Sequence, residues 1–334
     1  MVELVFRAVS EAEAGAKWQA EFARLWPAYK TWYLSQGDEA RPTYLASYRE
    51  LKRQMPELRG TYEALCELAG GGDLAARFLS FYCPPPYLSG CSQAVWPGEE
   101  PTLVRNYDYN PRYSDALLLM TCWNGRRVIA MSDCLWGVVD GMNDAGLVVS
   151  LTFGGRRVVG RGFGVPLILR YCLEACESVA EVAAVLKRIP THMAYNVTAL
   201  DSKARHLTAY LSPDRETVVT RQRVATNHQE RVEWHEHARA TATVERERYL
   251  LQRLTLHDDP APKFMAAFLK PPLYSTAFAR GFGTLYTAVY QPRLGAMELR
   301  WPGGTWRQSF SDFAEGARVV RYPSVASPQN RDLI

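Results

Sequence analysis

The 334-residue chain has no apolar run approaching the roughly 18 residues that a membrane-spanning helix needs, so no membrane partner is expected. Charge of one sign is also scarce. The formal net charge is only +4, and the basic stretch "RVEWHEHARATATVERER" is interleaved with glutamates. A nucleic-acid surface needs a denser positive stripe, which excludes that partner. Cysteine is not arranged as a disulfide framework. The seven cysteines (66, 83, 91, 122, 134, 172 and 176) are odd in number and widely spread, which fits reduced thiols and a cytoplasmic setting. Glu3, Arg7, Glu11 and Glu13 stand where a secretory signal would be apolar. The Asn196-Val197-Thr198 sequon is then a chance match. Internal repeats and low-complexity tracts are missing, and so is a metal-ligand set. His235 and His237 flank Glu236, but no third ligand stands at a usable spacing. "GRGFGV" at 160–165 has no Lys-Ser/Thr behind it and reads as a loop before a helix, not as a phosphate cradle.

What is present is a hydrophobic fraction of 47% with 12% aromatics, ample for a large core. Residues 10–35 and 43–82 carry apolar positions at helical spacing, with Pro27 expected to kink or interrupt the first stretch and "GGG" at 70–72 breaking the second. "CPPPYLSG" stops the helical pattern, since three prolines favour an extended run. From there the period is 2. "ALLLMTCW" and "RRVIAMSD" flank Asn124-Gly125, a two-residue hairpin signal, and "CLWGVVDG" pairs with "GLVVSLTF" across "MNDA". Ser178 and Glu181 form a capping box, so one helix ends near Glu177 and another starts at Val179. Strands follow through residue 225, helices are expected over 240–256 and 261–269, and a hairpin closes the pattern near 283–303. Runs of strands and runs of helices imply antiparallel sheets covered by helices, an α+β class, not alternating βαβ units.

Cys91 stands out because it follows the proline-rich run, opens the strand region and is preceded by Gly90. Without a Cβ, Gly90 leaves its carbonyl open to attack. If the Cys91 thiol attacked that carbonyl, the chain would split and Cys91 would gain a free α-amine. The reference pKa of such an amine, about 8, suits a base for its own thiol. Arg105 and Asp108 follow in "TLVRNYDYNP". An arginine near a thiol favours thiolate, and a carboxylate near an amine holds it in place; a surface ion pair is the plain alternative.

The motifs "GCSQAV", "RNYDY", "DGMNDAGLVVSLTF" and "VATNH" together resemble the N-terminal-nucleophile (Ntn) cysteine amidases of the choloylglycine hydrolase group, over roughly residues 88–305. The ninety residues ahead of the cysteine bring the chain nearer the isopenicillin-N acyltransferase-like branch. The resemblance implies a four-layer αββα sandwich with an N-terminal helical segment. It also implies self-cleavage at Gly90–Cys91 into an α chain (1–90) and an Ntn core (91–334), with the α chain as a partner of the core. Carried over by position, Cys91 is the nucleophile, Arg105 lies beside the thiol and Asp108 orients the amine. The Thr152 backbone N–H and the Asn227 amide form the oxyanion hole, and Arg280 is the C-terminal active-site arginine. Phe153 is expected to line an acyl pocket.

The expected activity is hydrolysis of a linear C–N amide of a small-molecule substrate through a thioester, with no cofactor and no metal. Acyl transfer to an amine, a cysteine protease pairing Cys91 with His228, and a non-catalytic amide-binding scaffold stand as alternatives. Homo-oligomerisation is left open.

Overall fold

The computed structural model describes residues 2–255 and 260–322. Extended segments rich in Val, Ile, Leu and Thr become strands, and where such a strand is covered on both faces its side chains are buried without alternation. Strand β1 (Val2–Glu11) is followed by helices α1 (Ala16–Tyr33), α2 (Tyr44–Gln54), α3 (Arg59–Leu68) and α4 (Asp73–Leu79). Six strands come next: β2 (Gly90–Trp96), β3 (Thr102–Tyr109), β4 (Leu117–Thr121), β5 (Val128–Asp133), β6 (Gly137–Asn143) and β7 (Leu147–Phe153). Helices α5 (Val165–Ala175) and α6 (Val179–Arg188) precede β8 (Tyr195–Asp201), β9 (His206–Ser212), β10 (Arg215–Thr220) and β11 (Val224–Ala225). Then come helices α7 (His235–Ala240), α8 (Thr243–Thr255) and α9 (Ala261–Ala267). The described chain ends with β12 (Thr276–Ala277), β13 (Phe282–Gln291), β14 (Ala296–Trp301), β15 (Gly304–Ser309) and β16 (Gly316–Tyr322).

The strands form two sheets. One has the order β10-β9-β8-β7-β6-β5-β4-β1-β16, the other β11-β2-β3-β13-β14-β15 with β12 paired to β13. All pairings are antiparallel except β1 with β4. The sheets face each other and exchange polar bonds across the gap. Gln93 Nε2 donates to Thr198 Oγ1 at 2.7 Å, and Ser150 Oγ donates to Gln93 Oε1 at 2.5 Å. Helices α5 and α6 cover the outer face of the larger sheet, while α8 and α9 seal the smaller one through Leu250, Phe264 and Phe268 against Ala94, Val104 and Val289. The expected αββα layering is therefore present.

Several local expectations are met. The capping box at Ser178 and Glu181 starts α6, and α5 ends at Ala175. The hairpin around Asn124-Gly125 forms, with Gly125 at φ 79°, but Thr121 pairs with Val128, so its loop is longer than two residues. Helix α1 runs unbroken through Pro27, which lies at an exposed position.

The N-terminal segment departs from an all-helical reading. Residues Val2–Glu11 form a strand seated inside the large sheet between β4 and β16. Its alternation of Phe6 and Ala8 inward with Glu3, Val5 and Arg7 outward is the period-2 signal of a half-buried strand. Trp18 donates its indole N–H to Leu135 O at 3.0 Å, and Trp136 donates to Leu79 O at 3.0 Å. The first ninety residues thus share one core with the rest of the chain.

His192 is fully buried, with Nδ1 3.3 Å from Phe163 O and Nε2 without a partner. Burial lowers its pKa to about 3. In the unfolded chain a histidine titrates near 6.5, so below that pH the unfolded state binds the extra proton and stability falls as the pH drops toward 3. His192→Phe is expected to flatten this acid limb, measured as the slope of melting temperature against pH between 6.5 and 4.

Candidate active site

Strand β2 lies between β11 and β3, and Cys91 sits opposite Tyr107, with its thiol pointing between the sheets. The thiol is completely buried. Arg105 Nη2 donates to Cys91 Sγ at 3.3 Å, and Ser89 Oγ lies 3.7 Å from the same sulfur.

The guanidinium is held from four sides. Its Nε donates to Leu151 O at 2.9 Å, its Nη1 pairs with Asp140, and Tyr286 OH is 3.3 Å from Nη1. Its plane also lies 4.6 Å from the Tyr107 ring centroid. Asp140 is fixed in turn by the Tyr286 hydroxyl at 2.8 Å and the Tyr290 hydroxyl at 2.5 Å. A buried ion pair is tolerated when its remaining donors and acceptors are met in this way.

Burial raises the Cys91 thiol pKa, and Arg105 opposes that rise while Asp108 adds to it.

On the other side of the cysteine lie Asn227, Asp108 and Arg246. Cys91 N donates to Asn227 Oδ1 at 3.0 Å. Asn227 Nδ2 faces Phe153 O at 3.2 Å and Ser89 O at 3.4 Å. The loop carrying Asn227 is tied down by Asn196 Nδ2, which donates to Thr226 O and His228 O at 2.9 Å each. Thr152 Oγ1 donates to Thr226 O at 2.6 Å, and the Thr243 hydroxyl accepts from Asn227 N at 2.6 Å. Asp108 accepts from Thr284 Oγ1 at 2.6 Å, and burial raises its pKa against the pull of Arg246.

Arg246 is the residue that sequence reading missed. Its Nη1 donates to Cys91 O at 2.6 Å and to Ser92 Oγ at 2.7 Å, its Nη2 donates to Asn227 Oδ1 at 2.6 Å, and Asp108 lies 3.6 Å away. It clamps the cysteine carbonyl and fixes which way the Asn227 amide points. Arg280, expected as the C-terminal active-site arginine, is instead exposed on a short turn ahead of β13. The usable signal was helical period. Thr243, Arg246 and Leu250 fall on one buried face of α8, where an unpaired arginine is costly, whereas Arg280 sits on a turn.

A second correction concerns Thr152. Gly154 N donates to Ala194 O, and Thr152 pairs with Asn196 in the same register, so the even-numbered peptide groups of this stretch turn toward β8. The carbonyls of Leu151 and Phe153 turn the other way, to Arg105 and Asn227. The backbone N–H of Phe153, not that of Thr152, therefore faces the cysteine side. The Phe153 ring is fully buried against Tyr195, Trp234 and His237.

No histidine bonds to Cys91 among the described residues. His228 turns to Glu247 at 3.2 Å and to Thr243 Oγ1 at 3.0 Å. Nor do the described residues contain a group of metal-ligating side chains. A small cavity of about 160 Å³ lined by Arg156, Arg157, Val158, Glu233 and Trp234 lies beyond Phe153 and does not reach the thiol. Ser89, whose hydroxyl lies beside the Cys91 sulfur, and Gly90 are themselves buried.

Removing the Arg246 clamp frees Asn227 to rotate and strands Asp108. For the Gly90–Cys91 self-cleavage that the sequence resemblance implies, Arg246→Met is expected to lower the rate by on the order of 10- to 100-fold, the range for losing a buried charge-assisted hydrogen bond. Arg280→Ala should leave the rate unchanged. Time courses on denaturing gels compare the two.

A search of curated protein sequences returns no match to this chain. Among solved structures, a penicillin V acylase from Agrobacterium tumefaciens aligns at 13% identity and TM-score 0.47, covering 66% of this chain and 86% of that one. Two variants of a conjugated bile acid hydrolase from Clostridium perfringens also align. One has 13% identity and TM-score 0.39, covering 71% and 98%; the other has 12% and 0.40, covering 75% and 94%. Residues 96–306, well over half of the chain, match the family described as acyl-coenzyme A:6-aminopenicillanic acid acyl-transferase. The chain belongs to that family.

Proposed function

We propose that this chain cuts its own Gly90–Cys91 bond and that the product is a cysteine amidase acting on a linear C–N amide. The observation that carries the reading is the pairing at one residue: Arg105 on the Cys91 sulfur and Asn227 on the Cys91 nitrogen. A nucleophile whose own nitrogen is cradled beside it needs no imidazole base, and none adjoins it among the described residues.

In the uncut chain the thiolate attacks the Gly90 carbonyl carbon. The C–N bond breaks, the nitrogen takes up the proton that the thiol gave up and becomes the α-amine, and the Gly90 acyl group passes to sulfur as a thioester. Water then releases the Gly90 carboxylate and restores the thiol.

With residues 84–90 displaced, the Asn227 Nδ2 that faced Ser89 O is free for a substrate oxyanion, opposite the Phe153 N–H. Two such donors contribute on the order of 3 kcal/mol each. Cys91 Sγ attacks the substrate carbonyl, the Cys91 amine protonates the departing nitrogen, and water resolves the new thioester. Asp108 and Asn227 Oδ1 hold the amine. An amine could replace water in the last step, and the family match favours keeping that second reading. All seven cysteines are free thiols, which suits a reducing cytoplasm.

Intact mass of freshly purified wild type is expected to show one fragment ending at Gly90 and one beginning at Cys91, held together under native conditions by β1. Cys91→Ala should remain a single chain. Because burial raises the thiol pKa, the thiolate fraction grows with pH, so scission of protein trapped at acid pH should accelerate as the pH rises toward 9. A wild type that turns over amides while remaining uncut would overturn the mechanism. Product analysis with and without an added amine separates hydrolysis from transfer.

A further inference from the structure

The α-amine that would serve Cys91 after scission does not exist before it, because the Cys91 nitrogen is still an amide and donates to Asn227. Another group must support the thiolate in the first reaction. Among the described residues two side chains hydrogen-bond to the sulfur, Arg105 through Nη2 at 3.3 Å and Ser89 through Oγ at 3.7 Å.

The placement of Ser89 follows from the chain itself. In extended backbone residues i and i+2 share a face, so along Ser89-Gly90-Cys91 the hydroxyl and the thiol point the same way, with no side chain between them. Ser89 is 2% exposed, and its carbonyl accepts from Asn227 Nδ2 at 3.4 Å, which holds the residue against the site. Its hydroxyl bonds to no other described residue. Burying a hydroxyl costs free energy that a bond to a protonated thiol barely offsets, and alanine would fill the same place without that cost. The contact becomes strong once the sulfur is charged, since the Ser89 O–H then donates to an anion.

The other charged and titratable groups around the thiol come from three elements: Arg105 and Asp108 on β3, Tyr286 on β13 and Arg246 on α8. Arg105 is shared with Asp140, and Arg246 with Asp108. Burial raises the thiol pKa and Asp108 adds to the rise, while Arg105 and the Ser89 hydroxyl oppose it. Of all these groups Ser89 alone precedes Gly90 in the chain, so it alone falls on the α-chain side of the cut.

We infer that Ser89 is a catalytic residue of self-cleavage and of no later step: its hydroxyl donates to the Cys91 thiolate in the uncut chain, then departs with the end of the α chain as the new amine takes over. The S–C bond forms at Gly90, the C–N bond breaks, the thiol's proton ends on the Cys91 nitrogen, and Ser89 keeps its own. The inference rests on the self-cleavage reading and adds to it a residue that serves only once.

The test follows scission by intact mass in wild type, Ser89→Ala and Ser89→Thr, each collected uncut at acid pH and moved to buffers between about pH 6 and 9.5. Ser89→Ala is expected to cut roughly tenfold more slowly near pH 7, with its pH profile displaced upward by about one unit. Its rate should converge on that of wild type at the alkaline end, where the thiolate forms without help. Ser89→Thr keeps the hydroxyl and should stay within about threefold of wild type. Once processed, all three should share one pH profile for alkylation of Cys91 by iodoacetamide.

Equal scission rates in wild type and Ser89→Ala, or a slowing by the same factor at every pH, overturn the role. A processed Ser89→Ala whose alkylation profile stays displaced overturns its confinement to the first reaction. Both results leave self-cleavage standing, whereas a wild type that stays uncut at every pH sinks that reading and the role with it.

Discussion

The ion pair between Arg105 and Asp140 is the constraint on which the site depends. Arg105 belongs to the smaller sheet and Asp140 to the larger, so the pair crosses the gap between them. Neither charge is exposed, and each carries its full complement of further bonds, from Leu151, Tyr286 and Tyr290. Such a pair adds little net stability compared with apolar packing, but it fixes register, because a slip of one residue would leave a bare charge in the interior. The same guanidinium is thereby pressed against the thiol. Inter-sheet register and nucleophile electrostatics are one arrangement.

Around that anchor the polar groups divide by task. Arg105 faces sulfur and Arg246 faces the carbonyl oxygen of the same residue, with Asn227 and Asp108 between them. Asn227 is informative because its amide is held at both ends, Oδ1 by Cys91 N and Arg246 and Nδ2 by carbonyl oxygens. Its orientation is set by charge. The donor it would offer to chemistry is occupied by Ser89 O in the intact chain, so the segment that hides the thiol also occupies the amide.

Much of this was legible in the sequence because it depends on local pattern. The period-2 runs, the capping box at Ser178 and the break at "CPPPYLSG" act over a few residues and survive folding unchanged. Cys91, Arg105 and Asp108 could be grouped because one hairpin carries all three. Arg246 was not legible from motifs, since it reaches the cysteine from a helix 155 positions away and nothing adjacent marks it. Which of the Thr152 and Phe153 backbone N–H groups faces the cysteine was not legible, because alternation decides which peptide faces inward, and only the register of β7 on β8 reveals the parity. The strand at the N-terminus was hidden by its outer face, where Glu3 and Arg7 flank Val5 and in isolation look like solvent-exposed sequence.

That strand has a further consequence. A cut after Gly90 would leave the large sheet completed by a separate polypeptide, with β1 wedged between β4 and β16. Reassembly after denaturation would then require two molecules to meet, where the uncut chain needs only to close on itself. Stability would acquire a dependence on protein concentration that the precursor lacks. Folding information would be spent before the bond is broken, so the two pieces would form a pairing made once, early, and difficult to remake.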